Sequence, residues 1–351
     1  MTSLAGHRGN MFTSTMGHIS NLLYRSLYAF LSLSRLQVRA AQQNVPKRGR
    51  HLPPAGHQQD TKPKSTKTLA QRLPKDTWDG HMHVIDPVRY PLAARAAYIP
   101  STFSAWDAVS FENSVSMRNL VAVQPSIYGN DNSALLDALR AFGPERSRGV
   151  VVFDLQAIDD ATLKKWHDLG VRGVRLNLAS TGAEPDLEEF KRTMQRYASL
   201  VKPYGWMVQV YMSMSLLPAL ADTIKHLPVK FCLDHFAQPR RPIDATTNDF
   251  NPYMIDGFSA LIDLLQHGNT WVKFSAPYRV DLEPAQLDKM ARELLRVRRD
   301  RAIFATDWPH TRFEGHDVKP FEERCLEWAE EAKCVDRVFS LNAKELWDVR
   351  D

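Results

Sequence analysis

After residue 75 the chain alternates regularly between short β-prone runs and longer helical segments. Eight runs are rich in β-branched, aromatic and other apolar residues, a composition that favours strands. They span residues 78–84, 119–125, 148–154, 172–178, 206–212, 229–235, 270–276 and 302–308. The number of strands, their alternation with helices and the length of the segment match a (β/α)8 barrel, which typically has roughly 250 residues. The sequence therefore predicts an α/β fold, a TIM barrel, over residues 76–351.

The segments between these runs read as helices, and several begin with Asp, Ser or Pro, which are typical of a first helical turn. A doubly wound open sheet would alternate in the same way. However, no glycine-rich phosphate-binding loop follows the first run. The barrel is therefore favoured, and in a barrel the reactive side chains gather at the carboxyl ends of the strands.

Residues 1–75 differ sharply from the rest in charge. They contain twelve lysines and arginines but one acid, Asp60, which gives this segment +11 and leaves −6 for residues 76–351 within the total of +5. Residues 1–45 are rich in Ser and Arg, which is typical of a mitochondrial transit peptide; an extension without a targeting role, on a cytoplasmic protein, is the alternative. Residues 46–75, rich in Pro, Lys, Gln and Thr, are predicted to be a linker, and the whole basic extension is predicted to be disordered.

Charge and cysteine content narrow the range of partners. The barrel region is mildly acidic, which argues against nucleic acid as a partner. No apolar run reaches membrane-spanning length without interruption, so no membrane association is expected. The three cysteines form no C-x-x-C pair, so neither a zinc cluster nor a disulfide framework is indicated. A small-molecule partner is expected, whereas the oligomeric state is left open.

The stretch Trp78 to Val84, "WDGHMHV", contains two histidines at positions i and i+2. Side chains alternate between the two faces of a strand, so His81 and His83 should point the same way. Two imidazoles on one face can bind a metal ion or donate hydrogen bonds to a substrate carbonyl group.

Other polar side chains are predicted near the same ends of the strands. They are Ser126, Arg175, Asn177, Tyr211, His235, Lys273, Ser275, Tyr278, Arg279 and Asp307. Any one of them has an ordinary explanation, because a lone strand histidine is commonly a hydrogen-bonded core residue and a lone arginine a surface charge. These side chains are all predicted at the same end of the barrel, where the strands end, which we call the mouth. This shared position is informative, since burying so many polar groups without a function would be costly.

Three motifs resemble the amidohydrolase superfamily, and more narrowly its amidohydrolase-2 branch of decarboxylases and lactonases. They are the H-x-H pair of the first strand, "LDH" at 233–235 and "TDWPH" at 306–310, and the closing "NAKELW" segment is similar to the final helix of the family. The resemblance extends from residue 78 to about residue 350 and does not include the basic extension.

Metal-dependent decarboxylases of this branch carry a histidine at the end of the fifth strand, where this sequence has Tyr211. The cationic Arg175 on the fourth strand would also repel a divalent ion. A mononuclear site made of His81, His83 and Asp307 would have three protein ligands. No cofactor is therefore expected; a zinc-dependent decarboxylase of an aromatic or muconate-type acid is the alternative.

The arrangement resembles instead the 2-pyrone-4,6-dicarboxylate lactonases, which hydrolyse a cyclic ester without metal. The resemblance implies that Asp307 is the general base that activates water. It implies that His81, His83 and His235 donate hydrogen bonds to the carbonyl oxygen as it gains charge. It also implies a group of residues that bind the anionic substrate, namely Arg175, Arg279, Tyr98, Ser126 and Tyr211.

One position departs from these lactonases. They have a second arginine six residues after the one on the fourth strand, and this chain has Thr181 there. Arg240 or Arg241, after the sixth strand, could compensate. Carboxylated pyrones, muconolactones, aryl-fused lactones and sugar-acid lactones remain open as substrates. A non-catalytic barrel acting as a binding protein is disfavoured, because a scaffold has no physical need for His81, His83, His235 and Asp307 at one mouth.

Overall fold

The computed structural model describes residues 67–179, 186–242 and 249–349. The predicted transit peptide, most of the predicted linker and Thr181 lie outside the described residues, so the expectations attached to them stay predictions. Residues Leu69–Arg72 of the predicted linker form a helical turn, α1. Its Arg72 donates hydrogen bonds to Glu330 from Nε at 2.9 Å and from Nη2 at 2.8 Å, so this end of the linker is bound to the folded region.

Eight parallel strands form one sheet in sequential order, which confirms the predicted barrel. The strands are β1 (Trp78–Met82), β2 (Asn119–Val123), β3 (Ser147–Val151), β4 (Val171–Asn177), β5 (Met207–Tyr211), β6 (Phe231–Leu233), β7 (Thr270–Phe274) and β8 (Ala302–Phe304). Each neighbouring pair from β1 through β8 is joined by parallel pairing in the order of the chain.

The sheet closes where β1 meets the segment after β8. The backbone N–H of Asp307 donates to the carbonyl of His81 at 2.8 Å, and the N–H of His83 donates to the carbonyl of Trp308 at 2.8 Å. The buried carboxylate of Asp79 accepts from the backbone N–H of His81 and from that of Thr306, each at 2.9 Å. Barrel closure therefore brings the H-x-H motif and the aspartate of the eighth strand side by side.

Helices surround the strands. They are α2 (Ala105–Ser114), α3 (Ser133–Phe142), α4 (Asp160–Asp168), α5 (Leu187–Val201), α6 (Leu217–Lys225), α7 (Phe258–His267), α8 (Pro284–Arg298), α9 (Lys319–Glu331) and α10 (Asn342–Leu346). In α5, Asp186 caps the first turn, and Phe190, Met194 and Val201 are among the residues buried on one face. Among the described residues, no helix is both long and apolar enough to cross a membrane.

The amino-terminal half of the barrel interior is apolar. Trp78, Met207, Trp271 and Ile303 pack there with other strand residues, and Trp347, after α10, packs against this layer. A polar cluster at the mouth therefore rests on a tightly packed apolar base, which limits the freedom of the side chains above it.

Two of the predicted strands end earlier than their apolar runs. His235 and Asp307 lie beyond β6 and β8 with φ angles of +49° and +62°. Non-glycine residues in this left-handed region cost on the order of 1 kcal/mol or more, and such strain is concentrated at functional sites. The turns aim both side chains into the mouth rather than along the barrel wall.

Three acidic side chains are buried beside β1: Asp79, Glu112 and Glu322. Burial, followed by the charges of Asp79 and Glu323, raises the pKa of Glu322 to about 8. The folded state therefore holds a proton that the unfolded chain releases near its ordinary pKa of 4.5. The free energy of unfolding therefore decreases as the pH rises from about 4.5 through about 8, because the unfolded state loses this proton more readily than the folded state does.

We expect Glu322→Gln to reduce this loss, because the amide carries no charge to bury. The variant should be more stable than the parent at pH 9, by about 1.4 kcal/mol per pKa unit of the removed shift, and similar to it at pH 5. Urea unfolding at pH 5, 7 and 9 measures this difference. Glu189→Gln, at an exposed position of α5, should show no such trend; an equal trend in both variants would contradict the assignment to Glu322.

Candidate active site

Three imidazole rings surround one oxygen of Asp307 at the barrel mouth. The Oδ1 atom lies 3.7 Å from His81 Nε2, 3.6 Å from His83 Nε2 and 3.8 Å from His235 Nε2. The Nε2 atoms of His81 and His83 are 3.3 Å apart, so the two histidines share one face as the i, i+2 spacing predicted. All four residues are buried. The arrangement leaves space for one small reacting group among four polar atoms.

The second oxygen of Asp307 is held on the opposite side. Oδ2 accepts from Arg279 Nε at 2.7 Å and from the Tyr278 hydroxyl at 2.8 Å. Arg279 also donates through Nη2 to the carbonyl of Thr311 at 2.9 Å. Burial alone would raise the pKa of Asp307, but the electrostatic interaction with His235, followed by that with the Arg279 guanidinium group, holds this pKa well below its usual range. Asp307 is therefore ionised at neutral pH.

The Nδ1 partner of each histidine decides what its Nε2 atom can do. The Nδ1 atom of His83 lies 2.7 Å from the carbonyl oxygen of Val123, which can only accept. The neutral ring therefore carries its proton on Nδ1, and its Nε2 presents a lone pair. The predicted donor role of His83 thus requires a doubly protonated ring; in the neutral form it is an acceptor.

His235 has a hydroxyl partner instead. Its Nδ1 is 2.8 Å from Ser275 Oγ, which can donate or accept, so either tautomer is compatible with the contact. Burial lowers the pKa of His235 to about 4, and the ring is neutral at pH 7. The edge of the Tyr211 ring packs against it with centroids 4.9 Å apart, which fixes its orientation.

His81 rests on a buried polar network of Lys273, which was predicted to lie near the mouth, and of Asp234 and Gln209, which were not predicted there. Lys273 Nζ lies 3.3 Å from His81 Nδ1 and 3.3 Å from Asp234 Oδ1, and it donates to Gln209 Oε1 at 2.7 Å. Burial, followed by the Lys273 charge, lowers the pKa of His81 well below 6.5. An ammonium group can only donate. The carboxylate oxygen Asp234 Oδ1, which can only accept, also lies 3.3 Å from His81 Nδ1, but only the Lys273 contact has the geometry of a hydrogen bond. His81 Nδ1 is therefore assigned as an acceptor, and the proton of the neutral ring as lying on Nε2, which faces the site.

Asp234 links this network to the substrate side. Its Oδ2 atom accepts from Gln209 Nε2 at 3.1 Å and from Arg175 Nε and Nη2 at 3.3 Å each. Burial alone would raise the pKa of Asp234, but the charge of Lys273, followed by the interactions with His81 and then by the charge of Arg175, holds the pKa well below its usual range. The sequence carried a signal for this network, because Gln209 and Lys273 interrupt apolar strands at positions that alternation directs inward.

All nine residues predicted for the site lie at the mouth. His81 is at the bottom, and a small recess that opens to solvent is lined by the other eight, namely His83, Tyr98, Ser126, Arg175, Tyr211, His235, Arg279 and Asp307. Arg241, suggested as a compensating anchor, pairs with Glu283 at 2.7 Å and is not among the residues that line the recess. Arg312, which was not predicted, also lines the recess.

One donor atom from each of His81, His235 and Asp307 lies within 4.8 Å of the others, so these three residues could hold a metal ion. Zinc bound at roughly 2.0–2.1 Å places its ligands about 3.4 Å apart in a tetrahedral site, and Asp307 Oδ1 lies 3.7 Å from His81 Nε2 and 3.8 Å from His235 Nε2. The sequence pattern indicated His81, His83 and Asp307 as the ligands, whereas the structure groups His81 and Asp307 with His235. The prediction that no metal is used is therefore not confirmed. The tautomer of His81 opposes zinc binding, because Nε2 must offer a lone pair to a metal.

Fold and site together define a barrel enzyme with a histidine–aspartate centre at its mouth. The sequence profile of the amidohydrolase family matches residues 78–349. The chain belongs to this family.

Two relatives and one solved structure illustrate the similarity. The chain is 29% identical over 259 residues to a 2-pyrone-4,6-dicarboxylate hydrolase of Comamonas testosteroni, which covers 70% of this chain and 80% of the relative. It is 30% identical over 258 residues to a 4-sulfomuconolactone hydrolase of Hydrogenophaga intermedia, with coverage of 70% and 78%. An amidohydrolase of Burkholderia multivorans with bound zinc superposes with a TM-score of 0.62 at 18% identity, covering 78% of this chain and 100% of that one. The last comparison supports the fold.

Proposed function

We propose that the protein hydrolyses a small anionic lactone, with Asp307 as the general base and imidazole N–H groups as carbonyl donors. The observation that carries the proposal is the position of Asp307, whose Oδ1 faces three imidazoles while its Oδ2 is held by Arg279 and Tyr278. The two sequence relatives bear the names of lactone hydrolases, which supports the same reaction class.

The attacking water is proposed to lie between two acceptors. His83 Nε2 and Asp307 Oδ1, which are 3.6 Å apart, can each accept one of its O–H groups. As the water oxygen bonds to the lactone carbonyl carbon, one proton passes to Asp307 and the carbonyl electron pair moves onto oxygen. The ring C–O bond then breaks, and the proton passes from Asp307 to the departing ring oxygen, which leaves a carboxylic acid and a hydroxyl group.

The carbonyl oxygen requires donors while it carries negative charge. His81 donates through Nε2–H in the tautomer that Lys273 imposes, and His235 does so when Ser275 donates to its Nδ1. Fixed donors in a buried site stabilise such an oxyanion more strongly than water does. Roles therefore divide among the three histidines: His81 and His235 are donors, and His83 is an acceptor.

The low pKa of Asp307 makes it a weak base in the ligand-free protein. A substrate carboxylate that takes hydrogen bonds from Arg279 would draw positive charge away from Asp307 and so raise its pKa toward the working range. Arg175, which is buried and joined to Asp234, is proposed as a second contact for the substrate. Tyr98, Ser126 and Tyr211 are proposed to orient the ring of the lactone.

Zinc, if bound, would be held by His81, His235 and Asp307. It would supply Lewis-acid polarisation of the carbonyl group and lower the pKa of a bound water. We favour hydrolysis without metal because the Lys273 ammonium group faces His81 Nδ1 at 3.3 Å. Zinc binding through Nε2 would place a proton on Nδ1, directed at this ammonium group.

A purified-protein assay distinguishes the candidate activities. Carboxylated pyrones and sulfomuconolactone, sugar-acid lactones, and aromatic or muconate-type acids would be supplied in parallel, with and without a chelator. We expect ring opening of an anionic lactone in both conditions. Chelator-sensitive release of CO2 from an acid, without lactone opening, would replace this proposal with the decarboxylase alternative.

Lys273→Met tests the tautomer argument directly. Without the ammonium group, Nδ1–H of His81 can turn to Asp234 Oδ1, 3.3 Å away, and Nε2 then presents a lone pair. We expect hydrolysis to fall by about tenfold or more, because one oxyanion donor is lost, and zinc affinity to rise. Calorimetric zinc titration measures the second effect, with Lys164→Met on the exposed face of α4 as the control. Unchanged hydrolysis and zinc affinity in a folded variant would contradict the role of Lys273.

A further inference from the structure

Three arginines line the recess, and two of them are paired with carboxylates. Arg175 is paired with Asp234 at 3.3 Å, and Arg279 is paired with Asp307 at 2.7 Å. Arg312, in the turn after β8, makes no ion pair with any residue that the structure describes. The nearby Glu314 carboxylate accepts from the backbone N–H of Arg312 at 3.0 Å, and no contact joins it to the guanidinium group.

The guanidinium group of Arg312 is nevertheless held in place. Its Cζ atom lies 5.6 Å from the centroid of the Tyr98 ring, within the range of a cation–π contact. The backbone of Arg312 has a φ of +68°, in the same segment as Asp307 at +62° and His310 at +58°. The contact with Tyr98 therefore places the exposed guanidinium group over an aromatic ring that itself lines the recess.

The recess therefore has an excess of positive charge at its outer rim. Among the described lining residues, Arg175 is paired with Asp234 and Arg279 with Asp307, whereas the positive charge of Arg312 has no carboxylate partner. A substrate whose one anionic group binds near Arg279 and Arg175 does not reach this charge. The charge at Arg312 then remains exposed and without a partner.

We propose that Arg312, positioned by Tyr98, is a second anion subsite that selects lactones with two anionic groups over those with one. This inference rests on the proposed lactone hydrolysis and adds the residue that determines substrate charge. The inner anionic group binds near Arg279 and Arg175, and the outer one binds Arg312. Arg312 thus takes the role of the arginine that the fourth-strand loop lacks at Thr181.

Equilibrium binding of two unreactive probes tests the subsite without requiring turnover. Isophthalate carries two carboxylates in a 1,3 arrangement on a planar ring, and benzoate carries one. By isothermal titration calorimetry on the full chain, the parent protein should bind isophthalate at least about tenfold more tightly than benzoate, the scale of a charged hydrogen bond at a partly exposed site. Arg312→Gln should abolish this preference by weakening isophthalate alone.

Two further variants test whether the charge, the planar shape and the position of Arg312 matter for the preference. Arg312→Lys should retain part of the preference, because it keeps the charge and loses the planar fork of donors. Arg241→Gln, which removes a guanidinium group already paired with Glu283, should leave both affinities unchanged. A parent protein that binds isophthalate no more tightly than benzoate would overturn the subsite. The subsite would also be overturned if the preference for isophthalate were lost in Arg241→Gln and kept in Arg312→Gln.

Hydrolysis assays separate this inference from the proposed function. If the isophthalate preference depends on Arg312 but no lactone in the panel is opened, the subsite stands and the proposed reaction fails. If lactones are opened and the Arg312→Gln variant opens dianionic and monoanionic ones in the same ratio as the parent, the reaction stands and the subsite fails.

Discussion

Asp307→Asn should lower lactone hydrolysis by at least about two orders of magnitude while the barrel remains folded. Asparagine keeps an oxygen that can accept from Arg279 and Tyr278, so the contacts on the far side of the residue can persist. It cannot take a proton from the attacking water. The expected loss therefore falls on kcat, with a smaller effect on KM.

Steady-state kinetics on the best lactone, with circular dichroism and thermal melting of the same samples, measure this effect. Asp317→Asn serves as the matched control, since that carboxylate is exposed in the loop after β8 and accepts from the backbone of Lys319 at 3.1 Å. Near-parental turnover in a folded Asp307→Asn protein would remove Asp307 from the reaction.

The second large effect is expected at the H-x-H pair. His81→Gln and His83→Gln should each reduce turnover by roughly 10²–10³-fold, the scale of losing an oxyanion donor at His81 and of losing an acceptor that orients the attacking water at His83. The physical reasons differ, because His81 presents N–H in the tautomer set by Lys273, whereas His83 presents a lone pair set by the Val123 carbonyl. Both rings are buried, so each variant also needs a measured melting temperature.

Chelation separates this interpretation from metal catalysis. Exhaustive dialysis of the parent protein against a chelator should leave hydrolysis unchanged, and added zinc should inhibit or have no effect. Metal analysis of the purified protein accompanies the assay. Stoichiometric zinc, with activity lost on chelation and restored by zinc, would contradict the tautomer argument and favour His81, His235 and Asp307 as the residues that hold the metal.

The roles of the three histidines illustrate the limits of sequence reasoning. Motif and strand position correctly grouped His81, His83 and His235 with Asp307. They also led to one shared donor role, since neighbouring histidines in a sequence look chemically alike. The role of each ring depends on its Nδ1 partner, and those partners come from β2, from β7 and from the residue after β7. Nothing in "HMH" identifies them.

The ends of two strands show a similar limit. The apolar runs predicted that strands continue to His235 and to Asp307, whereas β6 and β8 stop at Leu233 and Phe304. Hydrophobic composition reports burial, and both turns are buried although they are not strand. The left-handed φ angles that redirect the two side chains are imposed by the surrounding packing.

The sequence by itself determined the eight-strand order and the mouth at which the reactive residues meet. It could do so because side-chain alternation within a strand and the common direction of parallel strands are local and topological rules. Only the tertiary structure decided that Lys273, 192 residues away in sequence, faces His81, that Arg279 is committed to Asp307, and that Arg312 is left without an acid among the described residues. Proton positions and charge pairing depend on distances of about 3 Å between side chains of different strands, and those distances exist only once the barrel has closed.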